Sequence, residues 1–431
     1  VSEPQFRPSA AYAIIESVLK IPRLVQEQVM TLHAKGSDSV QDEHDYLLQI
    51  YPRPDFVFER GEGPYLIDTS GRRYLDFVAG IAVNALGYSD AELAATIAEQ
   101  SQKLIHVSNL YHTAPAAGLA RMMIEASPGL DRAFFCNSGT EAIEAAIKFA
   151  RRHARARVGE GKTTIVAFDG SFHGRTMGAV AVTARDKYRS PFMPVMPDVR
   201  FATFNDIASL EAAITADVCA VIVEPIQGEG GLRVADPAFL RRLRELCDQQ
   251  QALLITDEIQ CGMGRTGMLW AHQLYQFVPD IMTVAKPLAN GLPVGAVLLK
   301  QAVADSIQPG DHGTTFGGGP LVTAVGQVVF RRVSDPAFLS HVRDVAGYFD
   351  EALQDFAADQ RDKVIELRGS GLMRGLQIRG SAAAVRSAGH DAGLLVATAG
   401  DDVVRLLPPL IIEPAHVDEA LTMLRSVFNA L

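Results

Sequence analysis

LLITDEIQCGMGRTGMLWAHQLYQFVPDIMTVAKPLANGLP, residues 253–293, decides how this chain is read. It holds two apolar runs of β type. Asp257 closes the first, and a lone Lys286 closes the second, IMTVAK. Side chains of this kind, at the carboxyl ends of buried strands, stand where an open α/β sheet gathers its ligand chemistry. Lysine is rarely buried without a partner, so one that ends an apolar strand asks for a chemical use. A lysine amine can form a Schiff base, and a nearby carboxylate can hold a pyridinium nitrogen in its charged form. The pair points to pyridoxal 5'-phosphate as cofactor.

Outward from this stretch, strands and helices alternate. RAFFCN (132–137), TTIVAF (163–168), AVIVEP (220–225), ALLITD (252–257), IMTVAK (281–286) and AVLLK (296–300) read as strands buried on both faces. Amphipathic segments such as EAIEAAIKFARRHARA and PAFLRRLRELCDQQ read as covering helices. The expected fold is α/β, a mostly parallel sheet with helices on both faces, plus a smaller α+β domain. That smaller domain is expected from residues 1–83 and 331–431 together, with 84–330 as the large domain. Residues 1–60 read as helical and irregular. Short strands surround the Ser70-Gly71 turn, and no internal repeat is visible.

Composition narrows the function classes. A chain of 431 residues exceeds one typical core. Its net charge of −10 argues against a nucleic-acid surface. Cys136, Cys219, Cys247 and Cys261 form no CxxC and no paired spacing, as expected of reduced thiols. No apolar run approaches the ~20 residues of a membrane helix. The N-terminus has no clean signal-peptide pattern. The expected compartment is the cytoplasm, or an organelle matrix if a transit peptide preceded Val1.

The remaining parts of a pyridoxal phosphate site each have candidates. Asn137-Ser138-Gly139-Thr140 follows a strand and opens a helix beginning at Glu141, where backbone N–H groups can hold a phosphate. The same residues also suit an ordinary helix cap. Phe172 can stack on a ring, or simply fill core. Arg175, in a glycine-containing loop, can grip a carboxylate bidentately. Gln260 can bond a phenolic oxygen. His173 reads as structural, since no second ligand at suitable spacing suggests a metal. Gly262-Met263-Gly264-Arg265-Thr266-Gly267 spells the dinucleotide fingerprint GxGxxG. Asp257, Glu258 and Gln260 crowd its approach, and the strand ~20 residues later ends in Lys286 rather than an acid. A nicotinamide oxidoreductase is therefore the second hypothesis. A non-catalytic binding protein is the third, opposed by the co-occurrence of Lys286, Asp257 and Arg175.

Several stretches together resemble class III, fold-type I aminotransferases. They are NSGTEAIEAAIKFAR, SFHGRTMGAVAVTA, VIVEPIQGEGGL, LLITDEIQCGMGRTG, the Lys286 segment, HGTTFGGGPLVTAV and VVRLLPPLII. The resemblance runs in order from about Tyr51 to the C-terminus. With FERGEGPYLIDTSGRRYLDFVAGIAVNALG it is most similar to the acetylornithine branch of that class. The resemblance implies that Lys286 carries the cofactor and shuttles a proton. It places Asp257 at the ring nitrogen, Gln260 at the phenolic oxygen and Phe172 on the ring face. Ser138, Gly139 and Thr140 would hold the phosphate. Thr315 would reach the phosphate of a neighbouring subunit, which requires a homodimer with shared sites. Thr314 would lie near the substrate.

For the substrates, the resemblance implies transfer of an amino group from N2-acetyl-L-ornithine to 2-oxoglutarate. Arg175 would bind the α-carboxylate of acetylornithine and the side-chain carboxylate of glutamate. Arg405 would take the α-carboxylate of glutamate. Glu229 would neutralise Arg405 when acetylornithine is bound, because an unpaired buried charge is costly. Ile81 stands where an ornithine aminotransferase would carry Tyr. Succinylornithine, 4-aminobutyrate, ornithine and carrier-linked lysine remain alternative donors. The chain departs from the common pattern at Pro287, Ala289, Asn290, Gly319 and Ile143, and its first fifty residues carry no family motif.

Overall fold

The structure, a computed structural model, describes residues 39–431; the expectations for residues 1–38 lie outside the described residues. A helix over Ser39–Tyr46 leads to three short strands, β1 (Phe58–Glu62), β2 (Tyr65–Asp68) and β3 (Arg73–Asp76). Next come β4 (Arg132–Cys136), β5 (Thr164–Phe168), β6 (Val199–Ala202) and β7 (Val218–Val223). The two-residue strands β8 (Ile226–Gln227) and β9 (Arg233–Val234) frame a small loop. They are followed by β10 (Leu253–Asp257), β11 (Ile281–Val284) and β12 (Gly295–Leu299).

Seven of these strands form one sheet in the order β4-β12-β11-β10-β7-β5-β6. Only β12 runs antiparallel to its neighbours. The expected mostly parallel α/β sheet is thus present. Every residue of β5, β7, β11 and β12 is buried, which is why these strands read as unbroken apolar runs. β6 escaped the sequence reading. It is a four-residue edge strand, VRFA, with only Ala202 fully buried, so its pattern lacks the apolar run.

Residues alternate along each strand toward two helical layers. Ile165 and Ala167 pack with Ala142, Ile143, Ala146 and Ile147 of α1 (Gly139–Arg157). Val166 and Phe168 point the other way, toward Phe239, Leu240 and Leu243 of α2 (Pro237–Gln250). Met282, Val284, Ala296 and Leu298 meet Leu119, Met123 and Val329, the last from α3 (Pro320–Val333).

The C-terminal segment builds a second sheet from β13 (Val364–Ser370), β14 (Met373–Ile378), β16 (Ala397–Thr398) and β17 (Val403–Leu406). Strand β15 (Leu394–Leu395) instead joins β3 in parallel. Leu75 and Phe77 lie in one apolar cluster with Leu376, Leu406, Leu424 and Phe428, so chain segments from both ends share a core.

The GMGRTG stretch opens no helix. Gly264 and Gly267 take left-handed φ values of 84°, and the side chain of Arg265 is buried. Its guanidinium donates to the carbonyls of Leu372 and Pro408, while its own carbonyl accepts from Leu372 N. The glycines allow a turn that carries a structural tie to the C-terminal segment; a nucleotide loop would need a helix N-terminus here. Arg265→Ala would leave two buried carbonyls without their donor. It should cost ~3 kcal/mol in urea unfolding; a change under ~0.5 kcal/mol would contradict this role.

Candidate functional site

Strands β7, β10 and β11 lie side by side, and their carboxyl ends deliver the site. Asp257 is the last residue of β10 and is almost fully buried. A buried carboxylate needs donors, and it has three. His173 Nδ1 lies 2.7 Å from Asp257 Oδ2, Ile259 N donates to Oδ1 at 3.0 Å, and Thr283 Oγ1 lies 3.3 Å from Oδ1. Lys286 sits two residues beyond β11 and begins a 3-10 turn, Lys286–Ala289, so it lies just past the strand rather than closing it. Burial lowers its pKa, against the opposing pull of Asp257. An amine held below the ordinary lysine range has the unprotonated form needed for attack on a carbonyl.

A cavity of ≈ 380 Å³ opens at these strand ends. Its walls include Asp257, Lys286, Gln260, Phe172, Arg175 and the Ser138–Thr140 segment. One end is the N-terminus of α1. The helix starts at Gly139, two residues before the expected Glu141, because Ser138 is extended and its side chain caps Glu141 N. An added Cβ at Gly139 would lie 2.9 Å from the Ile259 side chain, which would have to move to admit a larger residue beside the first free N–H groups. Thr140 Oγ1 is 2.9 Å from Thr176 Oγ1 and accepts from Arg175 N, which ties the helix start to the SFHGR loop. Backbone donors at a helix end, with no side chain in the way, suit a phosphate.

Arg175 is exposed, and its guanidinium stacks 3.5 Å above the Tyr188 ring. Among the described residues it makes no ion pair, which leaves its fork free for a carboxylate. Arg405 lies in β17 and is buried. Its Nη1 donates to Glu229 Oε1 at 2.6 Å and to Gln260 Oε1 at 3.3 Å. With that oxygen engaged, the Gln260 amide nitrogen is left to donate toward the cavity.

Not every candidate comes to the cavity. Thr314 Oγ1 accepts from Asn137 Nδ2 at 3.1 Å and so stands beside the start of α1. Thr315 faces a different hollow, lined also by Phe135 and Phe316, and is exposed. Ile81 is exposed just before Val83, which does line the cavity.

Glu224 escaped the sequence reading, as did the contacts of His173 and Asn290. Glu224 follows β7 as Asp257 ends β10, so the strand-end argument applied to AVIVEP would have found it. Its side chain is buried at the cavity wall and accepts from Phe172 N at 3.3 Å. Burial first, then the charge of Asp257, holds its carboxyl well above the ordinary range. The two carboxyls of the site differ in their partners: Asp257 has three and Glu224 has one. His173, read as structural, proves to be the partner of Asp257. That contact spans 84 residues, and no local pattern announces it. Asn290 is the third and is treated below.

These features define the class. A family model for class-III aminotransferases matches residues 50–428, and the chain belongs to that family. Its cofactor is pyridoxal 5'-phosphate. The chain is 46% identical over 396 residues to a probable mitochondrial acetylornithine aminotransferase of Dictyostelium discoideum, covering 90% of this chain and 87% of that protein. Among solved structures, the N-acetylornithine aminotransferase of Stenotrophomonas maltophilia is 38% identical, with a TM-score of 0.78 over 91% of this chain and 98% of the other. The ornithine aminotransferase of Toxoplasma gondii superposes with a TM-score of 0.87 at 29% identity, covering 98% and 99%.

A lysine with a lowered pKa binds a proton less readily in the folded than in the unfolded chain. Between those two pKa values the unfolded state holds the extra proton, so folding stability rises with pH there. In cofactor-free protein, Lys286→Met should flatten that rise below the ordinary lysine pKa of about 10.4. Denaturation at stepped pH checks it; an unchanged slope would contradict the burial of a neutral amine.

Proposed function

We propose that this chain transfers the terminal amino group of N2-acetyl-L-ornithine to 2-oxoglutarate, giving N-acetylglutamate semialdehyde and L-glutamate, a step of arginine biosynthesis. Pyridoxal phosphate, when bound, supplies an aldehyde to receive the amino group and a protonated ring to withdraw electrons. Every other task falls to residues of the chain. Asp257, held in place by its three hydrogen-bond partners, would pair with the ring nitrogen. Gln260 donates to the phenolic oxygen, Phe172 covers the ring face, and Ser138, Gly139 and Thr140 hold the phosphate at the start of α1. Lys286 holds the cofactor and moves a proton at the substrate carbon that loses its amine.

The observation that carries the substrate reading is the Arg405–Glu229 ion pair of 2.6 Å. Two donors of different shape must share one site. Glutamate presents two carboxylates, one for Arg175 and one for Arg405. Acetylornithine presents only one, for Arg175, and Arg405 then needs another counter-charge. An uncompensated buried cation costs about 3–5 kcal/mol, enough to exclude the uncharged chain if Glu229 were missing. Glu229 is partly exposed and can leave when a substrate carboxylate arrives. The identity to proteins named acetylornithine aminotransferases, and Ile81 in place of Tyr, favour the acetylated donor over ornithine.

The exposed Thr315, lying outside its own chain's cavity, suits a homodimer in which it completes the partner's phosphate site. Of the described residues, 39–83 and 331–431 form the smaller domain in this reading, with 84–330 as the large one. The cytoplasm or an organelle matrix is the proposed compartment. No helix among the described residues is long and apolar enough to cross a membrane, and the Dictyostelium protein is named as mitochondrial.

Half-reactions followed by loss of the cofactor's visible absorbance test the reading. Acetylornithine and glutamate should each discharge it, with ornithine and 4-aminobutyrate slower in kcat/KM. Equal or faster reaction with ornithine would overturn the donor assignment. Glu229→Ala should shift the ratio of glutamate to acetylornithine turnover toward glutamate by about a hundredfold or more, ~3 kcal/mol. An unchanged ratio would refute the exchange of counter-charges.

A further inference from the structure

Residues Ala79, Gly80, Ile81 and Ala82 have φ values of 49°, 63°, 64° and 62°. Four successive left-handed residues, three bearing a Cβ, form a turn that L-amino acids resist. It persists only where its surroundings fix it. Asp76 Oδ1 accepts from Val78 N at 2.8 Å and Ala79 N at 3.0 Å, holding its start. Tyr88 donates to Asp76 Oδ2 at 2.6 Å and accepts from Asn84 Nδ2 at 3.1 Å, holding its exit.

The exit of the turn is fastened to the lysine loop by one side chain. Asn290 Oδ1 accepts from Leu86 N at 2.8 Å, and its Nδ2 donates to Gly87 O at 3.0 Å. The amide thus bonds the backbone of two successive residues. Asn290 is itself left-handed, with φ 45° and ψ 47°, and ends the turn that begins at Lys286. Asparagine is among the few residues with a side chain that enter this region readily. Here the conformation is what aims the amide at residues 86 and 87. Gly87 packs closely on the first strand: an added Cβ there would lie 2.4 Å from Gly63 O.

We propose that Asn290 is a positioning residue for donor selectivity. It locks the left-handed turn, with Ile81 at its surface and Val83 in the cavity wall, to the loop that carries Lys286. The distance from the reactive amine to the pocket lip is thereby fixed. In the functional reading above, on which this rests, glutamate and acetylornithine share the grip of Arg175. Acetylornithine alone carries an acetamido group to that lip.

Asn290→Gly keeps the left-handed backbone and removes both hydrogen bonds. In the full chain without cofactor, amide exchange at Leu86, whose N–H loses its acceptor, should accelerate by about tenfold, the scale of one lost hydrogen bond. In the holoenzyme, KM for acetylornithine should rise several-fold while KM for glutamate and kcat stay within about twofold. Asn290→Asp retains the acceptor for Leu86 N alone and should fall between the two in exchange. Unchanged exchange in Asn290→Gly would overturn the staple. Faster exchange with both KM values moving together would overturn its selectivity role. Failure of wild-type protein to use acetylornithine would refute the functional reading instead, and the exchange result would stand apart from it.

Discussion

Asp257 has almost no solvent contact, and three hydrogen-bond partners stand where water would otherwise meet its carboxyl group. Those groups come from three places: the loop after β5, the turn after β10 and strand β11. The sheet order β11-β10-β7-β5 places them together, because these parallel strands all end at one edge. Much else follows from this constraint. Glu224, just past the neighbouring strand and with one donor at 3.3 Å, has its carboxyl held well above the ordinary range by burial and by the charge of Asp257. Lys286 finds itself in the same low-dielectric edge, where burial favours the neutral amine.

Around this edge the charged groups divide into two kinds. Arg265 is fixed: its guanidinium is spent on carbonyls of the C-terminal segment. Arg405 is exchangeable: it is buried, yet its carboxylate partner Glu229 sits on a short loop and remains partly exposed. A buried salt bridge adds little stability in itself, since desolvation consumes most of its Coulomb gain. Its value in the proposed function is that one half can be replaced by a substrate carboxylate of equal charge.

The parts legible in the sequence are those whose reason is local. Asp257 and Lys286 stood out because polar groups ended apolar runs, and the runs were apolar because both sheet faces are covered. Gly139 was legible because strand, small residue and helix follow in order. The edge strand β6 was not, being short and half-buried. Nor was the left-handed turn at residues 79–82, where only one of four residues is glycine and the rest is imposed by Asp76, Tyr88 and Asn84. The His173–Asp257 and Asn290–Leu86 contacts join residues 84 and 204 positions apart. Such pairs become visible only when the sheet brings their loops to one edge.

The account rests on the Asp257–Lys286 edge holding the cofactor, and trapping tests that most directly. The chain is equilibrated with pyridoxal 5'-phosphate, reduced with borohydride, digested and mapped by mass spectrometry. The account predicts a single phosphopyridoxyl group on the peptide bearing Lys286, lost in Lys286→Ala. A stoichiometric group on another lysine, or none at all, would contradict it.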